Sequence, residues 1–267
     1  MLRLLAIFAH PDDESLAIGG TLTRYAAEGI DTYLLTATRG ERGRYLTNEN
    51  RPSDTEVGQA REGELADACA VLGIKELHLL DYLDGELDKA PADEAVGRIA
   101  RVIRRVRPQV VITFDPFGAY GHPDHIAISQ FAAAATVAAA DPHWRGGAEE
   151  LVAFGVSKLY YTVNDSARWN AHQSAFKRLV SRVDGVEREA IPWPDWSITT
   201  RIDTRAFAAQ TWQAVQCHKT QLAVYQALEN LTAAQHDALW GEQTFYRVFS
   251  AVNSGRDTET DLFEGLR

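Results

Sequence analysis

Leu4-Leu5-Ala6-Ile7-Phe8-Ala9-His10-Pro11-Asp12-Asp13-Glu14 is the stretch that decides the fold: six apolar residues run into an imidazole, a proline and three carboxylates. A short unbroken apolar run ending on polar, turn-forming residues reads as a strand buried on both faces, the kind found in parallel sheets under helices. Val110-Val111-Ile112-Thr113-Phe114 repeats the pattern, and His122-Pro123-Asp124-His125 follows it after a short connection. Ligands of open α/β sheets bind beyond the carboxyl ends of the strands, so clusters placed at two such ends can converge in space. A mononuclear zinc hydrolase is the reading this placement favours.

Working outward, strand-like and helical patterns alternate, the signature of a parallel sheet with helices on its faces. A helix is expected from about Ser15 to Glu28, stopped by Gly29, then a strand from Thr32 to Thr38. The polar, Gly- and Arg-rich segment from Arg39 to Thr55 is longer than an ordinary connection and rich in residues that can reach a ligand. A helix from Glu56 to Leu72 closes on Gly73, and Glu76 to Leu80 forms a third strand. Val96, Ile99, Ala100, Ile103 and Val106 recur at helical spacing before Pro108, and His125 to Ala140 is the next helix. Beyond Asp141 the pattern loosens. Strands are expected near Gly155 to Val163 and Ser197 to Thr204, helices near Ala167 to Val180 and Arg205 to Ala227, and a last strand from Thr244 to Val252. The polar tail, roughly the last dozen residues, is expected to fray. The fold class is therefore α/β, a Rossmann-like, open and mostly parallel sheet with helices on both faces. One domain is expected, with a core over 1–140 that carries the site and a less regular extension over 141–267 that shapes the pocket.

A chain of 267 residues is long enough to bury one large core. Against 27 basic residues stand 37 acidic ones, a formal charge of -10 that disfavours a surface for the phosphate backbone of nucleic acid. Cys69 and Cys217 are too few for a disulfide framework or a cysteine-rich metal knuckle, which fits a reducing, cytoplasmic compartment. Only Arg3 precedes the first apolar run, unlike the charged leader of a signal peptide. The alanine-rich Phe131 to Ala140 falls short of the ~20 apolar residues a membrane-spanning helix needs, so no membrane partner is expected. The sequence leaves a homo-oligomer open.

Catalytic zinc takes three protein ligands and keeps a fourth position for water. His10, Asp13 and His125 would supply such a set. Pro11 biases His10 toward extended backbone, so the imidazole and the carboxylates after it splay around a turn. One of Asp12 and Asp13 can then bind the metal while the other stands beside the water as general base. Pro123 suits a first helical turn, and the three-residue spacing brings His122 and His125 toward one side of it. A histidine near the metal but not on it would face the substrate's carbonyl oxygen or leaving group. Asp124 is placed to accept a ring N–H and fix a histidine's tautomer. A lone His-Pro-Asp is ordinarily a turn with a helix-capping aspartate, and Glu14 fits helix-start stabilisation as well as a functional role. Two clusters at two strand exits favour chemistry over capping.

Ala9-His10-Pro11-Asp12-Asp13-Glu14 with Gly19-Gly20-Thr21-Leu22, and Gly121-His122-Pro123-Asp124-His125, resemble the PIG-L/LmbE-like zinc de-N-acetylase superfamily. The likeness extends through Thr38-Arg39-Gly40-Glu41, Arg61-Glu62 and Leu83-Asp84-Gly85, roughly the first half of the chain, with a weaker echo at His218-Lys219-Thr220-Gln221. Such enzymes hydrolyse the acetamide of small N-acetylglucosamine-containing molecules, including intermediates of mycothiol, bacillithiol and glycosylphosphatidylinositol synthesis. The resemblance implies His10, Asp13 and His125 as zinc ligands, Asp12 as general base and His122 as electrophilic partner of the tetrahedral intermediate. It also implies Tyr120 at the oxyanion, and Glu41, Arg61 and Asp84 around the sugar hydroxyls or the metal-site surroundings. Iron or another first-row divalent metal suits the same ligands in the cell.

The expected reaction is metal-assisted hydrolysis of an N-acetylated amino sugar, a bacillithiol- or mycothiol-type precursor first, releasing acetate and a free amine. The alternative within hydrolases is an amidase of the same fold acting on another acyl amide, such as a thiol conjugate or antibiotic precursor. A nucleotide-binding protein is disfavoured because no G-x-G-x-x-G follows the first strand, and Gly19-Gly20 fall inside a helix, where they allow close packing. A non-catalytic carbohydrate-binding domain would not need two neighbouring carboxylates with separate roles.

Overall fold

The computed structural model describes residues 1–267 apart from 48, 147–149, 177–179 and 190. β1 (Arg3–Phe8) lies between β2 (Asp31–Thr38) and β4 (Val110–Phe114), pairing in parallel with both. β3 (Glu76–Tyr82) continues the sheet beyond β2, and β5 (Lys158–Val163) beyond β4, again in parallel. β9 (Glu242–Ser250) and β8 (Thr200–Asp203) add an antiparallel edge, giving the order β3-β2-β1-β4-β5-β9-β8. The chain therefore reverses its direction of growth between β1 and β4, and the crevice at that reversal is where α/β sheets bind ligands. Both motifs leave the sheet there.

Three helices cover one face: α1 (Asp13–Ala27), α2 (Asp54–Leu72) and α7 (Ala208–Cys217) pack on one another. α3 (Ala92–Val106) and α5 (Pro123–Ala140) pack together beyond the other, as right-handed crossovers require. Local chemistry sets the ends. Ser53 and Glu56 form a capping box at α2, Gly73 closes it in a left-handed conformation, and Pro123 opens α5 behind the short α4 (Gly118–Gly121). Gly20 does pack closely, since an added Cβ would stand 2.7 Å from Thr204 Cβ. The sheet's two-sided cover leaves β1 and β4 almost wholly buried, as their apolar runs imply. No helix among the described residues is long and apolar enough to cross a membrane.

The extension departs from expectation in three places. The helix expected over Ala167 to Val180 is α6 (Ser166–Phe176); 177–179 lie outside the described residues, and Val180 opens a hairpin of β6 (Val180–Val183) and β7 (Val186–Glu189). The helix expected over Arg205 to Ala227 breaks at His218, whose ring is drawn into a buried contact, and resumes as α8 (Leu222–Tyr225); α9 (Ala233–Trp240), which the pattern did not announce, follows. The tail does not fray. Leu262 and Phe263 are fully buried, and Glu259 supplies the counter-charge of buried Lys158 at 2.7 Å, which an unpaired ammonium inside the sheet would otherwise lack.

Candidate active site

His10 leaves the end of β1 buried, and its two ring nitrogens face different partners. Nε2 lies 3.1 Å from both Asp124 Oδ2 and Asp84 Oδ1, while Nδ1 lies 3.1 Å from His125 Nε2. With a metal in place of the second ring proton, Nε2 would keep its proton between the carboxylates and Nδ1 would turn its lone pair toward His125. Asp124 is itself fixed by the backbone N–H groups of Gly85 (2.7 Å) and Leu87 (3.1 Å). Asp13 lies across both rings: Oδ2 is 3.7 Å from His10 Nδ1 and accepts the His10 backbone N–H at 2.8 Å, and Oδ1 is 3.4 Å from His125 Nε2. Burial opposes a charge on His10, yet Asp124, Asp84 and Asp13 outweigh it and raise its pKa well above the ordinary value. The field at this point welcomes a cation.

The donor set fits one. Donor atoms of His10, His122 and His125 lie within 4.8 Å of one another, as do those of His10, Asp84 and Asp124. With Asp13 between the histidines, imidazole nitrogens and carboxylates of the kind zinc and its first-row neighbours take are gathered at the reversal point. His122 is thus a rival to Asp13 for the third place. Its environment sets it apart: Nδ1 accepts the Asp124 backbone N–H at 3.2 Å as the cap of α5, and burial with the nearby His10 lowers its pKa to about 4. A neutral ring whose Nδ1 accepts carries its proton on Nε2.

Asp12 precedes α1 in a left-handed conformation, φ 106° and ψ −25°, uncommon for a residue with a Cβ. Its Oδ2 accepts from Tyr225 Oη at 2.5 Å and from Arg61 Nη2 at 3.0 Å, and the same guanidinium holds the Pro11 and Gly40 carbonyls. Neighbours in sequence, Asp12 and Asp13 therefore answer to different partners. Behind them, fully buried Glu14 pairs with fully buried His218 at 2.9 Å. Burial pushes the Glu14 carboxyl up, but His218 outweighs it and leaves it below its ordinary value.

A cavity of about 460 Å³ opens onto this cluster. His10, Asp12, Asp13, Arg61, Asp84, Tyr120, His122 and His125 all line it; Asp124 and Glu41 do not. Asp124 stands behind His10, and Glu41 stands behind Asp84, whose backbone N–H its Oε1 accepts at 3.1 Å. Tyr120 reaches the cluster because Gly118 and Ala119 both take positive φ; a Cβ on Gly118 would stand 2.8 Å from His125 Cβ. Its ring centroid is 5.3 Å from that of His125, and burial followed by Asp13 raises its pKa, so the phenol keeps its proton.

Sequence reasoning missed the opposite wall. Tyr225, Arg168, His172 and Trp193 line the cavity from the extension. Trp193 Nε1 donates to Asp115 Oδ2 at 2.7 Å, fastening its loop to the residue after β4. Arg168 Nη2 donates to the Leu16 (3.0 Å) and Ala17 (2.6 Å) carbonyls where α1 kinks at Ile18, and Gln243 accepts the Thr21 N–H at 2.8 Å. An inserted side chain is a usual cause of such a kink. None of these is marked as a site residue by the sequence; Gln221, which also lines the cavity, belongs to the short His218-to-Gln221 motif noted there.

A family model described as GlcNAc-PI de-N-acetylase, PIG-L, matches residues 5–136, which hold both motifs. A 1D-myo-inositol 2-acetamido-2-deoxy-alpha-D-glucopyranoside deacetylase of Thermomonospora curvata is 35% identical over 296 residues, covering 99% of this chain and 97% of the relative. N,N'-diacetylchitobiose deacetylase from Pyrococcus horikoshii superposes with a TM-score of 0.71 at 18% identity, over 92% of this chain and 83% of that one. GalB, a 4-carboxy-2-hydroxymuconate hydratase from Pseudomonas putida, superposes with a TM-score of 0.69 at 19% identity, over 96% and 99%. At such identities these two likenesses speak for the fold alone, and a fold hosts more than one reaction. The full-length sequence match, together with the motif-bearing region, decides the matter: this chain belongs to the PIG-L family of GlcNAc-PI de-N-acetylases.

Proposed function

We propose that this protein is a zinc-dependent deacetylase that removes the N-acetyl group from a small N-acetylglucosaminide, with an N-acetylglucosaminyl-inositol of the mycothiol type as the first candidate. The observation that carries the reading is the gathering of His10, Asp13 and His125 at one point, with Asp12 beside them on partners of its own. The like-sized relative that is 35% identical supports the substrate class.

His10, Asp13 and His125 would hold the metal, and Asp124 would keep the His10 Nδ1 lone pair available by accepting the Nε2 proton. Bound there, zinc would supply Lewis acidity at the acetyl carbonyl and lower the pKa of water at the site to about 7. Asp12 takes the water proton through the oxygen that Arg61 and Tyr225 leave free for it. The Nε2–H of neutral His122 and the phenol of Tyr120 donate to the carbonyl oxygen as charge builds on it. Asp12 then returns its proton to the departing nitrogen. Acetate and the free amine leave. Arg61 and Asp84 line the cavity, which supports assigning them to the sugar hydroxyls or the metal-site surroundings. The reading is tested by acetate release from a panel holding the N-acetylglucosaminyl-inositol, N,N'-diacetylchitobiose, N-acetylglucosamine and a non-sugar acetamide. Turnover of the sugars with metal present supports it; turnover of the non-sugar amide alone would overturn it.

A further inference from the structure

Glu14 and His218 do not line the cavity, yet Glu14 touches Asp12, on which the proposed reaction turns, and His218 touches Glu14. Glu14 Oε1 meets His218 Nε2 at 2.9 Å and accepts from Ser15 Oγ at 2.5 Å, while Oε2 accepts the Asp12 backbone N–H at 3.0 Å. Both side chains are fully buried, and they come from opposite ends of the chain: the first turn of α1 and the break after α7. An acidic residue in a first helical turn ordinarily complements the helix dipole from the surface. That explanation needs neither complete burial nor a histidine 204 residues away. Stability explains the pair no better, since taking two charges out of water is costly and well-packed apolar residues often serve as well.

The pair's geometric consequence is at Asp12. A residue with a Cβ keeps a left-handed backbone only where its surroundings over-determine it, and such strain gathers at functional sites. Here Glu14 holds the Asp12 peptide from behind, while Arg61 and Tyr225 hold the side chain from in front. Rotation at this residue is what parts the neighbouring carboxylates, sending Asp12 to Arg61 and Tyr225 and leaving Asp13 to His10 and His125.

We infer that Glu14 and His218 are positioning residues: the buried pair fixes the carboxylate that clamps the Asp12 peptide, and so aims Asp12 as base while Asp13 faces the metal. The inference rests on the reading of Asp12 as the base. It also gives the extension a part in the chemistry, because His218 reaches the clamp only when α7 is docked on α1.

The test compares Glu14→Gln, His218→Phe, Asp12→Ala and the double variant Asp12→Ala/Glu14→Gln, each zinc-loaded and assayed on the N-acetylglucosaminyl-inositol. Glu14→Gln should lower kcat about tenfold with KM and zinc content unchanged, the pattern of an interaction felt only in the transition state. His218→Phe should lose at least as much. In the Asp12→Ala background Glu14→Gln should add nothing, because residues acting through one another are not additive. Wild-type kcat in Glu14→Gln, or a full additional loss in the double variant, overturns the inference. If His218→Phe does not fold, the cycle between Asp12 and Glu14 decides alone. Asp12→Ala separates the two levels: if that variant keeps both zinc and rate, the base assignment itself has failed.

Discussion

The two walls of the active-site cavity are built by different rules. The first wall comes from 1–140, where every reacting side chain sits within a short reach of a strand end or in the first turn of a helix: His10 and Asp13 after β1, His122 and His125 at the start of α5. The second comes from the extension, where Arg168 reaches carbonyls of α1 and Tyr225 reaches the Asp12 carboxylate, with His218 behind the cavity on Glu14, all far away in sequence. The first wall holds donors that can bind a cation and polarise a substrate. The second touches those donors' neighbours. Local placement gathers the donors, while long-range packing gives two adjacent carboxylates different partners, the basis of the division of roles proposed for them.

The largest expected effect lies wholly on the first wall. His125→Ala should lose metal affinity and turnover together, whereas His122→Ala should keep its metal and lose much of its rate. Zinc content of the two purified variants checks this, and equal loss would promote His122 to a ligand in place of Asp13. Next comes the divided pair. Asp13→Ala should lower metal occupancy, and Asp12→Ala should keep metal while losing a factor of roughly 10²–10⁴ in single-turnover rate, about 3–5 kcal/mol of transition-state stabilisation. If the two variants behave alike, the division of labour is wrong.

Smaller effects probe the second wall. Burial, followed by Arg168, lowers the pKa of His172 to about 3. Because this folded value lies below the unfolded one near 6.5, the unfolded state takes up the proton first, so stability present above pH 6.5 is lost as pH falls toward 3. His172→Gln should remove that loss. Denaturant unfolding at pH 7 and pH 5 should show the gap between variant and wild type shift by about 2 kcal/mol in the variant's favour at the lower pH. An unchanged gap would mean that His172 is solvated and the wall loosely packed. The smallest effect is Tyr225→Phe, which removes one of two donors to Asp12 Oδ2 and should lower kcat by a few-fold to about tenfold with metal content intact. No change would leave Arg61 as the sole anchor.

How far the sequence reaches follows the same division. The strands of the parallel sheet announce themselves because two-sided burial forces unbroken apolar runs, and the metal-binding candidates stand beside them. Spacing therefore marks the two clusters as metal-binding candidates, while the choice of Asp13 over Asp12 rests on the family resemblance. The helix break at His218 has no such signal, since a helical pattern runs through it and only the tertiary contact with Glu14 opposes that pattern. Tyr225 left no mark for a similar reason: its partner lies 213 residues earlier, and nothing local distinguishes it from a core tyrosine. The tail misled by its polarity, because Glu259 is buried as the counter-charge of Lys158.

The most direct test of the proposed chemistry is a zinc titration of the metal-stripped protein, with acetate release from the N-acetylglucosaminyl-inositol measured at each addition. Activity absent at the start, rising in proportion and levelling at one zinc per chain in the wild type, with Asp12→Ala binding the same one zinc and staying near the baseline, is the expected result. Full activity before any zinc is added, or an Asp12→Ala curve that climbs with the wild type, would contradict it.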